Sequence, residues 1–147
     1  MSLVLNGNAP AFSVSRATSA QSITSGVWTK VQLNAENFDT ANAFDTTTNY
    51  RFQPAVAGYY QINSQVSYGA ASGMPYCYAA VYKNGTAFEA TVGLALSGIV
   101  GNAAFSCLVY LNGSTDYVEL YANATGTSVT VSSGGSTTFD GCLVRGT

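Results

Sequence analysis

The sequence predicts an all-β protein built as a sandwich or barrel, and three observations carry this prediction. No stretch shows the sustained i, i+3, i+4 apolar spacing of a helix. Clusters of Gly, Asn, Ser and Thr recur roughly every eight to twelve residues, which is typical of many short strands joined by turns. Apolar and polar residues alternate between these clusters. A chain of 147 residues suits one such domain with its own core.

The clearest alternation runs through Ala57–Gly69, which reads AGYYQINSQVSYG. Period two over this length predicts a long strand with one face in the core, formed by Tyr60, Ile62 and Val66. The opposite face holds a tyrosine and three amides but no charge. Solvated strand faces usually include Lys or Glu, so this face suits a surface that a partner chain covers. Its residues are Tyr59, Gln61, Asn63 and Gln65.

Three shorter strands are expected before the central one. Ala11–Val14 follows Pro10, Val27–Asn34 alternates in period two, and Tyr50–Gln53 ends at Pro54, which cannot donate to a sheet. The polar segment Ser15–Ser25 is expected to be a loop. Trp28 is the single tryptophan, and we expect it to be partly buried near a sheet edge.

Asn37–Asn49 is predicted to be a long polar loop that contains two Phe-Asp pairs. Phe38 and Phe44 are expected to anchor it to the body of the domain. Asp39 and Asp45 are expected to cap turns through side-chain to backbone hydrogen bonds. Calcium binding by these two carboxylates is the alternative.

Two further strands are predicted on either side of the strongest hairpin signal in the chain, Asn84-Gly85, because both residues tolerate positive φ. Pro75–Lys83 precedes it and Thr86–Leu94 follows it, and Ala95–Gly101 is expected to be a turn of small residues.

Ala103–Leu111 is apolar on both faces, so it needs a second covering besides its own core. The core side is predicted to hold Phe105, Cys107, Val109 and Leu111. The opposite side is Ala104, Ser106, Leu108 and Tyr110.

The remaining chain is predicted to form Tyr117–Ala122, a loosely paired Thr127–Ser132, and a last strand at Thr138–Val144. In the first of these, alternation places Val118, Leu120 and Ala122 inward and Tyr117, Glu119 and Tyr121 outward.

Composition excludes several functions. The chain has no histidine, so His-based nucleophilic and general-base catalysis is absent, and its seven acids are scattered. We therefore predict a protein that is not an enzyme and that uses no metal or cofactor. With five basic residues and no basic run, nucleic acid is not expected as a partner. No apolar run reaches the length of a membrane span, so no membrane partner is expected.

Cys77, Cys107 and Cys142 lack the spacing of a zinc site. We expect them to be small buried hydrophobes in a reducing compartment, with a disulfide between two of them as the alternative. The start of the chain has no basic segment followed by an apolar run, so no secretion signal is expected.

Six short motifs, taken in order, resemble the globular head domain of complement C1q, which shares its fold with the tumour necrosis factor ligands. Ile62 and Thr115 depart from that pattern, standing where the family usually has Phe and Gly. The motifs cover Pro10 to Val144. They are Pro10–Val14, Phe44-Asp45 followed by Tyr50–Phe52, Gly58-x-Tyr60-x-Ile62, Val81-x-Lys83-Asn84-Gly85, Leu111 with Asp116-x-Val118-x-Leu120, and Phe139-x-Gly141-x-Leu143.

The resemblance implies a ten-stranded, two-sheet jelly-roll sandwich that assembles as a homotrimer, with residues 1–9 as an N-terminal arm and 10–147 as one domain. It also implies that the first, central and last strands line the three-fold axis. The expected trimer interface is then Tyr59, Gln61, Asn63, Gln65, Ala104, Ser106, Leu108, Tyr110 and Cys142.

The resemblance also makes two tyrosine-bearing strands neighbours in the outer sheet. Tyr78, Tyr82, Tyr117 and Tyr121 would form a ladder that either recognises a ligand or only packs across the strands.

Only 8% of the residues are charged, against about a quarter in ordinary domains. Together with the missing stalk and the polar loops, this resembles bacteriophage versions of the fold. The expected function is a structural protein on the virion surface, a capsid decoration (cement) protein or head fibre, with other virion proteins as partners. The alternatives are a tail-fibre tip that binds a host surface glycan, and a secreted, extracellular C1q-type module that binds carbohydrate or protein.

Overall fold

The computed structural model describes residues 9–70, 72–96 and 98–147. The predicted arm, apart from Ala9, and part of the predicted turn at Ala95–Gly101 lie outside these residues. The described chain is all-β and contains thirteen strands. Within it there is no helix that could cross a bilayer.

The strands follow one another along the chain with these bounds: β1 Ala11–Ser15, β2 Gln21–Ser22, β3 Thr29–Lys30, β4 Ala35–Asp39, β5 Phe44–Asp45, β6 Arg51–Phe52, β7 Ala57–Gly69, β8 Tyr76–Lys83, β9 Thr86–Leu96, β10 Val100–Asn112, β11 Val118–Ala124, β12 Thr130–Val131 and β13 Thr138–Gly146.

The strands form two antiparallel sheets. The inner sheet has the order β4-β1-β13-β7-β10, with β12 and β2 continuing from the end of β7. The outer sheet has the order β9-β8-β11-β6-β5, with β3 also beside β11. The sheets join where the end of β9 pairs with the start of β10. This is the predicted two-sheet jelly roll. It has thirteen strands where ten were predicted, and five of the thirteen have only two residues.

The core lies between the two sheets and is aromatic at one end. Phe12 of β1 stacks on Phe52 of β6 with ring centroids 4.2 Å apart, and Phe139 closes against Phe12 at 5.5 Å. Tyr60 is fully buried, and its hydroxyl donates to the Val56 carbonyl at 2.7 Å. Burial raises the pKa of Tyr60 to about 12. These contacts fix β1, β6, β7 and β13 around one centre.

Strand β7 has the predicted bounds and the predicted alternation, with Tyr60, Ile62 and Val66 buried. Gly58 starts it because β13 passes very close. A Cβ at Gly58 would lie 2.3 Å from the Arg145 carbonyl oxygen, so no larger residue fits without moving β13. The Asn84-Gly85 hairpin is also confirmed, with φ values of 52° and 78°.

The region before β7 departs from the sequence prediction. Only Thr29–Lys30 of the predicted strand Val27–Asn34 pairs with β11, because β11 shares that edge with β6. Val31 and Leu33 are still buried in the core. The Val31 amide donates to the Leu120 carbonyl of β11 at 2.9 Å, and the chain turns after it, where the Leu33 amide donates to the Val31 carbonyl at 3.1 Å. The segment expected to be a loop after Ser15 contains β2. The small-residue turn is shorter than expected, since β9 and β10 extend into it from both sides.

The predicted loop Asn37–Asn49 contains most of β4 and all of β5. Phe44 is a buried anchor as expected, but the prediction for Phe38 is wrong, because it is 50% exposed. Phe38 pairs with Ser13, which alternates with the buried residues of β1 and faces away from the core.

Turn capping by the two aspartates of this segment is confirmed. The Asp39 carboxylate accepts hydrogen bonds from the backbone amides of Ala41, Ala43 and Phe44 at 2.6–3.1 Å. Asp45 caps the next turn in the same way. Each carboxylate therefore fixes the turn that follows it.

Candidate interface on the inner sheet

The side chains of β13, β7 and β10 that point away from the core form one continuous surface, called the inner face below. The strand register sets its rows across the sheet. Tyr59 lies beside Tyr110, Gln61 lies between Cys142 and Leu108, Asn63 lies beside Ser106, and Gln65 lies beside Ala104. The nine residues predicted for the trimer interface are therefore contiguous on one face.

This face is exposed and partly apolar in the single chain. Leu108 is 53% exposed, and Tyr59 and Tyr110 are 43% and 39% exposed. The two tyrosine rings touch each other, with centroids 5.4 Å apart. The Lys83 ammonium donates to the Tyr110 carbonyl at 2.8 Å, which holds this part of β10 in place. Large exposed apolar groups on a flat sheet are typical of an association surface.

Two of the three amides predicted for this face are tied to the sheet. The Gln61 Nε2 donates to the Cys107 carbonyl at 3.2 Å, and the Gln65 Nε2 donates to the Ser136 carbonyl at 3.1 Å. These bonds hold the side chains flat against the strands. A polar side chain that is already hydrogen-bonded costs less to desolvate than a free one when another surface covers it.

Three residues of the same face were not predicted. Asp140 lies beside Asn63 and Arg145 lies beside Tyr59, so both carry a charge onto this face, and Val100 is 50% exposed. Alternation from Cys142 could have placed Asp140, and alternation from Ala104 could have placed Val100. Arg145 reaches this face because a bulge in β13 shifts the alternation, which the sequence pattern does not reveal.

The cysteines are free, and Cys77 and Cys107 are buried as expected. Burial raises the pKa of the Cys107 thiol to about 11. The prediction of burial is wrong for Cys142, which is exposed on the inner face. It lies on the side of β13 that points away from the core.

The predicted tyrosine ladder lies on the outward side of the outer sheet, where its members are neighbours as the resemblance implied. Tyr82 stacks on Tyr121 with centroids 3.8 Å apart. The Trp28 ring packs against Tyr78 and Tyr82, with ring centroids 6.3 and 6.2 Å apart. All four tyrosines are half-buried. Cross-strand packing therefore accounts for most of their surface.

A buried ion pair lies in the same sheet. The Glu119 carboxylate contacts the Lys30 ammonium at 2.5 Å, and the Glu119 side chain is only 4% exposed. Alternation predicts that Glu119 points away from the core. It does so, but the Lys30 side chain of β3 covers it. The described residues contain no group of three His, Cys, Asp or Glu side chains placed to share a metal ion.

No protein-family model matches the sequence, and no curated protein is similar to it. Solved structures do match. The globular domain of zebrafish complement 1qA aligns with a TM-score of 0.64 at 16% identity, covering 95% of this chain and 99% of that one. Murine APRIL aligns with a TM-score of 0.67 at 12% identity, covering 92% of this chain and 99% of that one.

The PRD1 vertex protein P5 aligns with a TM-score of 0.68 at 16% identity, covering 95% of this chain and all of that one. This chain has the C1q/TNF-like jelly-roll fold. The similarity extends over nearly the full length of the chain. The C1q/TNF-like resemblance found in the sequence is confirmed.

Proposed function

We propose that this protein is a non-enzymatic homotrimer of the bacteriophage particle, displayed on its surface as a capsid decoration (cement) protein or head fibre. The observation that carries the proposal is the inner face. It is continuous over three strands, exposes Leu108 and two tyrosines, and has two of its three amides bonded to its own backbone. In a homotrimer, contact with identical chains would remove these exposed apolar groups from water.

A closed ring of three chains also needs a second surface, because each protomer contacts its two neighbours through different patches. The edge where β9 meets β10 supplies a candidate. Leu94 is 72% exposed there, and together with Val100, Gly101 and Asn102 it lines a shallow cavity of about 220 Å³. Val100 belongs to both surfaces, so this apolar edge continues into the inner face. We infer that the edge of one protomer contacts the inner face of the next.

Two features support a particle-bound role. The chain is similar over nearly its whole length to a vertex protein of the phage PRD1. Its charged fraction is low, at 8%, which suits surfaces that are buried in an assembly. Other virion proteins would be its partners.

A second candidate is a tail-fibre tip that binds a host surface glycan, and a third is a secreted C1q-type binding module. The similarity to the zebrafish complement domain favours a recognition role of this kind. Each of these candidates uses the same trimer.

Two measurements test the main proposal. Light scattering on the purified chain should give three times the 15.2 kDa mass of one chain. Antibody labelling of purified particles should place the protein on the capsid. A stable monomer at high concentration would contradict the trimer, and label confined to the tail or absent from particles would favour the second or third candidate.

A further inference from the structure

A polar pocket of about 570 Å³ lies outside both sheet faces, at the end of the sandwich where β7 begins. Loops bring its walls together from distant parts of the chain. Its volume is in the range of small-molecule sites, which is about 300–1,000 Å³. The residues that matter are Asn49, Arg51, Gln53, Pro54, Ala55 and Ser114.

The pocket contains one cation that is held in position and has no ion-pair partner among the described residues. The Arg51 guanidinium lies 4.3 Å from the centre of the Tyr117 ring. In the described residues the two ion pairs use Lys30 and Lys83, so Arg51 is in neither. Stacking fixes the plane of a guanidinium and leaves its N–H groups free to donate at the edge.

Two amides supply acceptors beside it. The Asn49 Nδ2 donates to the Asp45 carboxylate at 2.8 Å, and the Gln53 Nε2 donates to the Ser114 carbonyl at 3.0 Å. Each amide nitrogen is therefore used inside the protein. The carbonyl oxygens Oδ1 of Asn49 and Oε1 of Gln53 remain as acceptors in the wall of the pocket.

The one carboxylate of the wall is already saturated. Asp45 accepts five hydrogen bonds, from the backbone amides of Thr47, Thr48 and Asn49 and from two side chains. These donors, the Thr48 amide foremost, hold the pKa of Asp45 far below its usual range. Asp45 therefore stays ionised and offsets the charge of Arg51, so the pocket as a whole is neutral and its carboxylate has no capacity left for a cation.

We propose that this pocket binds a neutral saccharide. A sugar presents adjacent hydroxyls that both donate and accept, and these match the Arg51 donors and the two amide acceptors. The carbons of Pro54 and Ala55 offer an apolar surface to the C–H face of the ring. The proposal deepens the glycan-binding candidate above by giving it a site, and it does not depend on how the trimer is closed.

The test is an array of neutral and acidic oligosaccharides, followed by saturation-transfer NMR with the neutral sugars that bind. At least one neutral sugar should bind, and Arg51→Ala should weaken it about 10- to 100-fold, the effect of losing hydrogen bonds to a charged group. Arg145→Ala, which removes the same charge from exposed β13 outside the pocket, should bind as the parent does. Gln53→Met gives an independent test if Arg51→Ala does not fold.

Binding of no sugar, binding of acidic sugars alone, or equal binding by both pocket variants and the parent would overturn the proposal. Loss of particle attachment in Arg51→Ala without any sugar binding would instead assign the pocket to a protein partner. Light scattering on the same variants separates the two proposals. A trimer that binds no sugar refutes only the pocket, and a monomer that binds sugar refutes only the trimer.

Discussion

The inner face and the outward side of the outer sheet carry the same residue type in opposite situations. Tyr59 and Tyr110 of the inner face are about 40% exposed and lie side by side, with Arg145 opposite Tyr59. Tyr82 and Tyr121 of the outer sheet stack on each other, and Trp28 packs against Tyr82. Within the described residues, no other element packs over Tyr59 and Tyr110, whereas Trp28 packs against Tyr82.

The difference shows which of the two sheet faces is covered by another segment of the same chain. The segment before β4 runs along the edge of β11, and from there the Trp28 ring and the Lys30 ammonium reach over the outward side of the outer sheet. No described segment crosses the inner face. In the trimer proposal, neighbouring protomers supply the cover of the inner face.

The largest expected effect comes from Tyr110→Glu on the inner face. It should convert the trimer to monomers, because each unpaired buried charge costs about 3–5 kcal/mol and three are introduced per assembly. Light scattering measures the change. Val27→Glu places the same charge on an exposed loop beside the outer sheet and should leave a trimer. An unchanged trimer in Tyr110→Glu would mean that this face is not the interface.

The next effect is on stability and not on assembly. Glu119→Gln should lower the free energy of unfolding by about 2 kcal/mol, since it removes the charge opposite the Lys30 ammonium, which is one-third exposed and keeps the Asn49 carbonyl as an acceptor at 3.2 Å. Denaturant unfolding measures it, with Lys30→Met/Glu119→Gln as the double variant that should recover part of the loss. Dissociation of the trimer by Glu119→Gln would contradict the separation of the two faces.

A smaller loss is expected for Trp28→Ala, about 1–2 kcal/mol, because the indole is already partly exposed but packs on two tyrosines. The change should expose the ladder, so binding of a hydrophobic dye should rise while the trimer persists. A fully stable variant with no added dye binding would show that Trp28 does not cover this face.

The smallest effect concerns the contact between the two sheets. Asp116 accepts from the Asn84 amide at 2.7 Å and from Lys83, whose ammonium also reaches the Tyr110 carbonyl. The Asn84 hydrogen bond, followed by those from Lys83, lowers the pKa of Asp116 below its ordinary 3.8. The folded state therefore binds fewer protons than the unfolded state, and the stabilisation is complete above pH 3.8 and is lost as pH falls through the lowered value.

Thermal unfolding from neutral pH to pH 2 measures this loss, which should be below about 1 kcal/mol. Asp116→Asn should flatten part of the pH dependence. A pH profile identical to that of the parent would show that Asp116 is not the group responsible.

The sequence predicts the long strands well, because their alternation reports directly which side is buried. β7 and the Asn84-Gly85 turn have the expected bounds, and the inner face follows from alternation within β7 and β10. The short strands before β7 are not predictable in this way. β3 exists because two residues reach the edge of β11, which depends on contacts distant in sequence. The cover over the tyrosines and the exposure of Phe38 depend on the same contacts. The proposed saccharide pocket is built from turns and from the two-residue strands β5 and β6, which no periodic pattern relates.

The length of β7 has a consequence for electron microscopy. Thirteen residues at about 3.3 Å each make a strand of roughly 40 Å. If the trimer stands with β7 along its axis, particles that carry it should show three-fold projections about as tall as this strand plus the turns beyond its two ends. The radial density profile of a decorated shell would thus reveal whether the protein stands upright or lies flat.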